Sequence, residues 1–516
     1  MFVFQGGAAM TTDAQTQHFD TLIIGAGISG IDVAYHLNRY CGWASYAILE
    51  RRSNLGGTWD LFRYPGIRSD SDMFTFGFSW KIWKSAIPIA TGDEILAYLN
   101  EAVREEKILE KIKFNTDIST AEWNSADNRW HLTTSDGRRY SCWMLIGCTG
   151  YFSYENPHRP TFPGEEKFPG PILHPQEWNA DADTAIMGKK VAIIGSGATA
   201  VTMLPSIVNK TNHVTMVQRS PTYIFSKPVV DPVAKFLTNW LPESVAPSVN
   251  RWKNVVLGQL FFQFCMNFRD TAKKFVRRNM WDNVKECMTL EEFDKNFTPP
   301  YNPWEQRLCL SPGADFFEAL RGGGASVATG VIETFTESGI QLTLGQHVDA
   351  EVIVSATGLT LQNNFPFSTI RVTVDGEKYK PTETMLYKGV MCSGVPNYGF
   401  VMGYTNASWT LKADIAAMYF TKLLNHMREN GVASVTPRVP EGVGEAQLTL
   451  GLTSGYVSRS GSTRPKQGDK DPWIYRMNYF RDLWLLWWYG VEDRESLQFD
   501  DGVNIDNASE EKRKLL

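Results

Sequence analysis

At 516 residues the chain is longer than one hydrophobic core serves, so two or three domains are expected. A net charge of −5, with acids and bases interspersed, excludes the basic tract of a nucleic-acid binder, and aromatic residues at 13% leave rings over for flat ligands. Seven scattered cysteines (Cys41, Cys142, Cys148, Cys265, Cys287, Cys309 and Cys392) with no C-x-x-C pair fit the reduced thiols of a cytoplasmic protein.

The first 18 residues lack the basic start and long apolar run of a signal peptide and read as a flexible leader. No apolar run reaches the ~18 residues a membrane span needs. The first element is the strand Thr21–Ile24, which runs into Gly25-x-Gly27-x-x-Gly30 and a helix over Ile31–Leu37. Glycines at this spacing let the backbone turn sharply and approach a pyrophosphate, whose charge sits at the helix N-terminus. A second strand, Tyr46–Leu49, ends in Glu50, 20 residues after Gly30, where a carboxylate meets a ribose hydroxyl. That carboxylate repels a 2′-phosphate, so the site should take FAD or NAD over NADP.

The loop Asn54–Asp72 follows. Gly56, Gly57 and Thr58 read as a second close approach to the dinucleotide, Trp59 as a plane for a ring, and Arg63, Arg68, Asp70 and Asp72 as functional charges. An ordinary Gly and Pro turn with solvated charges is the alternative. A charged helix ending near Lys107 leads to strands Trp130–Thr134 and Cys142–Ile146, the latter ending in Gly147-Cys148-Thr149-Gly150, a return of the sheet to the nucleotide.

A second strand-turn-helix is Lys190–Ile194, then Gly195-x-Gly197-x-Thr199-Ala200, where Ala200 still permits close helix packing. Its discriminating strand, His213–Val217, leads to Gln218, Arg219 and Ser220 with no carboxylate. A guanidinium there suits the 2′-phosphate of NADP, against the alternative of a surface arginine. Opposite discriminators imply an FAD site followed by an NADPH site. Between them lies Phe168-x-Gly170-x-x-x-His174-x-x-x-Trp178, placed to connect the two.

Residues 223–300 show large residues at helical spacing (Phe236, Trp240, Trp252, Val256, Leu260, Phe264), no strand signal, and outer positions for Arg269, Lys273, Lys274, Arg277 and Arg278. An inserted helical subdomain is expected, with most of its aromatics in its core and a position suited to a substrate lid. Tyr301–Leu310 returns to the fold. Gln341–Asp349 and Glu351–Ser355 read as a hairpin-like pair ending in Thr357-Gly358, a mirror of Thr149-Gly150. A helix over Leu411–Glu429, capped by Gly431, offers its N-terminus to the electron-rich end of a flavin. The tail carries Trp473, Tyr475, Tyr479, Phe480, Trp484, Trp487 and Trp488, which suit a helix packed across the domain junction, with peripheral membrane contact as the alternative.

The fold class is therefore α/β, with two dinucleotide-binding (Rossmann-like) domains and an inserted helical subdomain. The divisions are a leader (1–18), the FAD-binding domain (19–151 and 346–440), the linker and NADPH-binding domain (152–222 and 301–345), the helical insertion (223–300) and the tail (441–516). No metal site is expected, and the oligomeric state is not encoded in any motif.

These motifs resemble those of class B flavin-dependent monooxygenases of the Baeyer–Villiger type, and more closely the ethionamide-activating subgroup. The fingerprint F-x-G-x-x-x-H-x-x-x-W is matched at Phe168, Gly170, His174 and Trp178, and the likeness runs from Phe19 to about Asn430. It departs in two places: Asn179 follows the fingerprint where Pro or Asp is common, and Gln306 replaces a lysine that helps to hold NADP, leaving more of that work to Arg219. The resemblance implies that NADPH reduces FAD, that oxygen adds as a C4a-peroxide, and that this peroxide attacks the carbonyl of an apolar ketone to give an ester or lactone. It also implies Arg307 as the catalytic cation, Asp70 as the carboxylate that positions it, and His174 as a coupling residue in preference to a general base. Oxidation of sulfur or nitrogen is the alternative chemistry. A pyridine-nucleotide disulfide reductase shares the folds but needs a cysteine pair, and a non-catalytic NADPH-binding protein would have lost Arg307 or the connector.

Overall fold

The computed structural model describes residues 15–448 and 464–501, together with 451, 455 and 459. Residues 1–14 of the expected leader lie outside that range. Its end is already ordered: strand β1, Gln17–Ile24, starts by pairing Gln17 with Tyr140. Leu22 and Ile23 have no exposed surface. Such burial on both faces is what a parallel sheet demands of a continuous apolar run.

β1 lies parallel to β2, Tyr46–Leu49, on one side and β3, Arg139–Gly147, on the other. Helix α1, Ile28–Tyr40, crosses between β1 and β2. An antiparallel meander, Ile118–Asn124 and Arg129–Thr134, extends the sheet beyond β3, and Tyr398–Phe400 pairs parallel to β3. These six belong, with Ile112–Lys113, Arg371–Val374 and Glu377–Lys378, to a nine-stranded sheet around the larger core.

The second sheet has five parallel strands. β4, Ile172–Leu173, is its edge, and β5, Lys190–Ile194, feeds helix α2, Ala198–Ile207. β6, His213–Gln218, follows. The connector thus supplies an edge strand of the second domain.

The insertion is not wholly helical. It opens with a strand, β7, Ile224–Lys227, and then runs through helices α3, Pro232–Trp240, α4, Ala246–Asn267, α5, Arg269–Val284, and α6, Leu290–Phe297. β7 pairs parallel with β8, Cys309–Pro312, so two strands rather than a simple crossing close the insertion at its base. The large residues read as core lie on the wrong side: Trp240 is 75% exposed, and Phe236, Trp252, Val256 and Leu260 are exposed as well. The period is right, but α4 buries the stripe through Asn250, Val255 and Cys265. Positions 252, 256 and 260 face away from it at 3.6 residues per turn.

β9, Ala325–Thr329, completes one edge of the second sheet beside β6. Beyond it the expected hairpin pairing fails. Gly339–Leu342 pairs antiparallel with Ile332–Thr336 and with His347–Asp349, whereas β10, Val352–Ser355, inserts in parallel between β5 and β4. All four β10 residues are buried, and only a central parallel position covers both faces of such a strand. The division at 345/346 therefore falls too early, and Thr357 and Gly358 close the second nucleotide fold.

Helix α7, Trp409–Glu429, packs along α1. The tail does not make one helix across the domains. Trp473, Tyr475 and Tyr479 are buried in the first core, a short helix Tyr479–Leu483 continues as a π-helical turn over Trp484–Trp488, and Leu497–Asp501 pairs with Val432–Pro437. Its exposed rings, Phe480, Trp484, Trp487 and Trp488, follow that turn. Among the described residues no helix is long and apolar enough to cross a membrane.

Candidate active site

Both glycine turns have the same construction. Gly25 has φ +102° and Gly195 φ +128°, and a Cβ at these positions would lie 2.6 Å from the Cys148 carbonyl oxygen and 2.2 Å from that of Ala356. Each strand end therefore passes against the backbone that leaves the neighbouring strand, β3 in one domain and β10 in the other. The two Thr-Gly segments, Thr149-Gly150 and Thr357-Gly358, begin there, which is why they mirror each other in the sequence.

The helices that follow, α1 and α2, start at Gly27 and Gly197 with no side-chain cap. The helices Gly92–Glu105 and α6 carry full capping boxes, Thr91 with Glu94 and Thr289 with Glu292. Leaving the first amides of α1 and α2 uncapped is costly unless an anion takes them, and a pyrophosphate fits that need. Glu50 stands at the end of β2, 4% exposed, its oxygens accepting the backbone N–H of Ala26 at 2.7 Å and of Arg52 at 2.9 Å. Burial pushes its carboxyl above the usual range, while those two amides pull the other way.

A cavity of 330 Å³ runs along these features. Gly25, Gly27, Glu50, Gly57, Thr58, Trp59 and Asp70 line it from the first domain, Thr199 lines it from α2, and Arg307 from beyond the insertion. Gly30, Gly195 and Ala200 do not line it; a Cβ on Gly30 or Gly195 would meet backbone, and Ala200 is buried in the second core, while Gly197 is exposed and also outside the lining. Arg219 is exposed past the end of β6, and the Ser220 carbonyl accepts the Ser196 hydroxyl at 3.3 Å. Thr357 donates to the His158 carbonyl at 2.8 Å, and neither Thr357 nor Gly358 lines the cavity. Tyr64, Tyr151, Tyr154, Thr202 and Trp409 do line it, unforeseen from the sequence. Only the resemblance of Trp59, a ring beside a glycine turn, hinted at such a wall.

The charged loop Asn54–Asp72 divides its labour. Arg52 and Arg63 both grip buried Asp60, at 2.7 and 2.9 Å, so Arg63 serves the loop itself. Arg68 pairs with Asp315 of the second domain. Asp72 caps the helix Met73–Phe76 through the Thr75 amide at 3.0 Å. Asp70 is the exception: its Oδ2 lies 3.3 Å from Arg307 Nε.

Arg307 and Asp70 stand where the glycine-lined cavity meets a second one of 310 Å³. Phe225, Val255, Phe261, Leu308, Leu310 and Leu411 give this second space an apolar wall, part of it from α4 of the insertion.

The connector packs on the second domain and on the linker that leaves the first. Phe168 packs edge-on to Phe335, and a Cβ on Gly170 would lie 2.1 Å from the Glu351 carbonyl oxygen just before β10. Trp178 is buried in the second core, its Nε1 donating to Asp183 at 3.3 Å. His174 is 6% exposed. Its Nδ1 accepts the Gln176 amide at 3.1 Å, while Nε2 is buried and closes no hydrogen bond. Burial pushes its imidazolium below the ordinary pKa, against an upward pull from the His158 backbone. Gln176 ties this segment to the start of the linker that leaves the first domain: its Nε2 donates to the carbonyls of Ser153 at 3.1 Å and Tyr154 at 2.8 Å. No motif marked Gln176.

Two dinucleotide folds, uncapped helix termini in each, and a shared cavity with a guanidinium–carboxylate pair at its apolar end define a flavoprotein oxidoreductase. A model of the pyridine nucleotide-disulphide oxidoreductase family matches residues 22–238. All seven cysteines are nevertheless free, no two stand at C-x-x-C spacing, and burial pushes the Cys41 thiol up to about 12. The chain is 46% identical over 488 residues to FAD-containing monooxygenase EthA of Mycolicibacterium smegmatis, covering 94% of this chain and 97% of the relative. It is 44% identical over 490 residues to EthA of Mycobacterium tuberculosis, covering 94% and 98%. A solved structure described as oxidized steroid monooxygenase bound to NADP superimposes with a TM-score of 0.72 at 19% identity, over 94% of this chain and all of that one. The chain belongs to the FAD-containing monooxygenases, and its fold is that of Baeyer–Villiger monooxygenases.

Proposed function

We propose that this monooxygenase uses FAD and NADPH to insert one atom of O2 beside the carbonyl of an apolar ketone, giving an ester or lactone. The observation that carries the reading is the position of Arg307, held by Asp70 where the glycine-lined cavity opens into the apolar one. The balance is ketone, O2, NADPH and a proton giving ester, water and NADP⁺. FAD, once reduced by the nicotinamide, supplies the oxygen-activating chemistry.

The protein's own residues do the rest. Uncapped amides at α1 and α2 would hold the two pyrophosphates, Glu50 the flavin-side ribose and Arg219 the 2′-phosphate. Nucleophilic attack on a carbonyl places negative charge on its oxygen. A guanidinium cannot lose its proton, so Arg307 offers that oxygen a permanent positive charge. Asp70 fixes the arginine's Nε. The apolar wall of Phe225, Val255, Phe261 and Leu411 keeps water from the charge and selects an apolar substrate. Seven unpaired thiols suit a reducing cytoplasmic setting.

The test is to purify the flavin-loaded chain and follow NADPH consumption against linear, cyclic and aryl ketones and alkyl aryl sulfides, identifying products. Esters or lactones formed one per NADPH support the reading. Sulfoxides alone, with every ketone untouched, overturn it in favour of heteroatom oxidation.

A further inference from the structure

Away from the cavities, α1 and α7 are joined by a cluster that no step above uses: Asp32 and His36, one turn apart on α1, and Asp414 on α7. Asp32 has no exposed surface, His36 is 3% exposed, and the Asp414 side chain is 13% exposed. One ligand atom from each lies within 4.8 Å of the other two. From this geometry we propose a binding site for a divalent first-row metal ion of the zinc class, cross-linking the two helices behind the flavin pocket.

The hydrogen bonds fix the donor set. His36 Nδ1 lies 2.9 Å from the Asp32 carbonyl oxygen, which can only accept, so Nδ1 carries the proton of the neutral ring. The Nε2 lone pair is then turned toward Asp414 Oδ1, 3.4 Å away. Two ligands of a tetrahedral zinc ion, bound at about 2.0–2.2 Å, stand roughly 3.3–3.5 Å apart. Backbone bonding at the far nitrogen is the arrangement that orients a metal-binding histidine. Trp80 Nε1 donates to Asp32 Oδ1 at 2.9 Å, and Ser79 Oγ donates to Asp414 Oδ1 at 2.8 Å.

The independent observation is Asp32 Oδ2, a buried carboxylate oxygen with no hydrogen-bond partner. Leaving such an atom unpaired is expensive. Arg251 is near enough for its charge to act on Asp32, but it gives Oδ2 no hydrogen bond, and its Nη1 goes to backbone carbonyls, Gly77 at 2.8 Å among them. A proton on His36 Nε2 would serve Asp414 and still leave Oδ2 bare, whereas one cation serves all three groups. The imidazole ligand favours a first-row ion over magnesium or calcium, which prefer oxygen throughout. Partly exposed Asp414 provides the entry path and room for water as the remaining ligand.

The site sits behind the first glycine turn, and Trp409 at the start of α7 donates to Ser29 near the start of α1 at 2.8 Å. An ion here would hold together the two helices whose N-termini line the cofactor cavity. The inference does not depend on the ketone reading.

The experiment dialyses flavin-loaded enzyme against a chelator, adds zinc, and measures retained metal by elemental analysis and thermal unfolding by flavin fluorescence. The expected result is about one zinc per chain at 10 µM free zinc, with affinity at least tenfold weaker in Asp32→Asn and His36→Gln. Asp127→Asn, which alters an exposed aspartate–histidine pair, should bind like the parent. Parent enzyme that retains less than a tenth of an ion per chain, or site variants that bind zinc as the parent does, would overturn the proposal. If a variant loses flavin on purification, the parent stoichiometry and the Asp414→Asn variant decide.

Discussion

Arg307 and Gly30 show how differently single residues serve the site. Gly30 touches no ligand; a Cβ there would lie 2.0 Å from the Gly25 carbonyl oxygen, inside the turn that must hold the pyrophosphate. The backbone cannot move aside without spoiling the turn, so Gly30→Ala should cost roughly 1–3 kcal/mol and yield protein with under a tenth of the parent's bound flavin, read from flavin absorbance. Asp70 acts through its partner. Asp70→Asn keeps the shape but removes the charge that fixes Arg307 Nε, so kcat should fall roughly 10- to 100-fold while flavin content and the KM for NADPH stay close to the parent's. A larger rise in KM than fall in kcat would count against a positioning role. Such residues were legible to unequal degrees. Gly25, Gly27, Glu50 and Gly57 follow from spacing alone, because backbone approach to a phosphate leaves few choices of residue. Tyr64, Tyr154 and Gln176 carry no such signature; they reach the cavity or the connector through tertiary packing.

Among elements, strands with continuous apolar runs could be read from the sequence to within a few residues, and the pairing between them could not. β10 has the composition of a strand beside its sequence neighbour, yet its four buried residues require a place between β5 and β4. α4 shows the same limit in a helix. Its period was readable, but which stripe turns inward depended on what the insertion rests on. The connector is the element with the clearest test. Gln176 holds the Ser153 and Tyr154 carbonyls, and Gln176→Leu leaves both without their side-chain partner at about 1–3 kcal/mol each. Flavin should remain bound, since Glu50 and the α1 amides are untouched, while reduction by NADPH slows at least several-fold in stopped flow. His174→Ala should behave likewise; loss of flavin from either variant would argue that the segment only supports the first pocket.

For the whole molecule, the tail fastens onto the first core through buried polar groups. Lys412 pairs with Asp482 at 2.8 Å, and Tyr404, which lines the cofactor cavity, donates to the same oxygen at 2.7 Å. Lys388 is 2% exposed, ringed by Tyr387, Tyr419 and Tyr489, with Gly490 O accepting from its Nζ at 3.2 Å. Burial pushes its pKa down to about 8 from the ordinary 10.5. Between those values the unfolded chain binds the extra proton, so this lysine makes stability rise with pH across that window. Relative to Lys388→Met, the parent should gain on the order of 3 kcal/mol between pH 7.5 and pH 10.5. A flat difference in denaturant midpoints over that range would show that the ammonium is not held in a dry site.

The account turns on the cation between the two cavities, and the most direct test is product analysis of flavin-loaded Arg307→Ala with a ketone the parent accepts. The variant should still bind FAD and be reduced by NADPH, while ester formation falls by roughly 10²–10³-fold and the consumed oxygen appears as hydrogen peroxide. Ester made by the variant at the parent's rate would contradict the account.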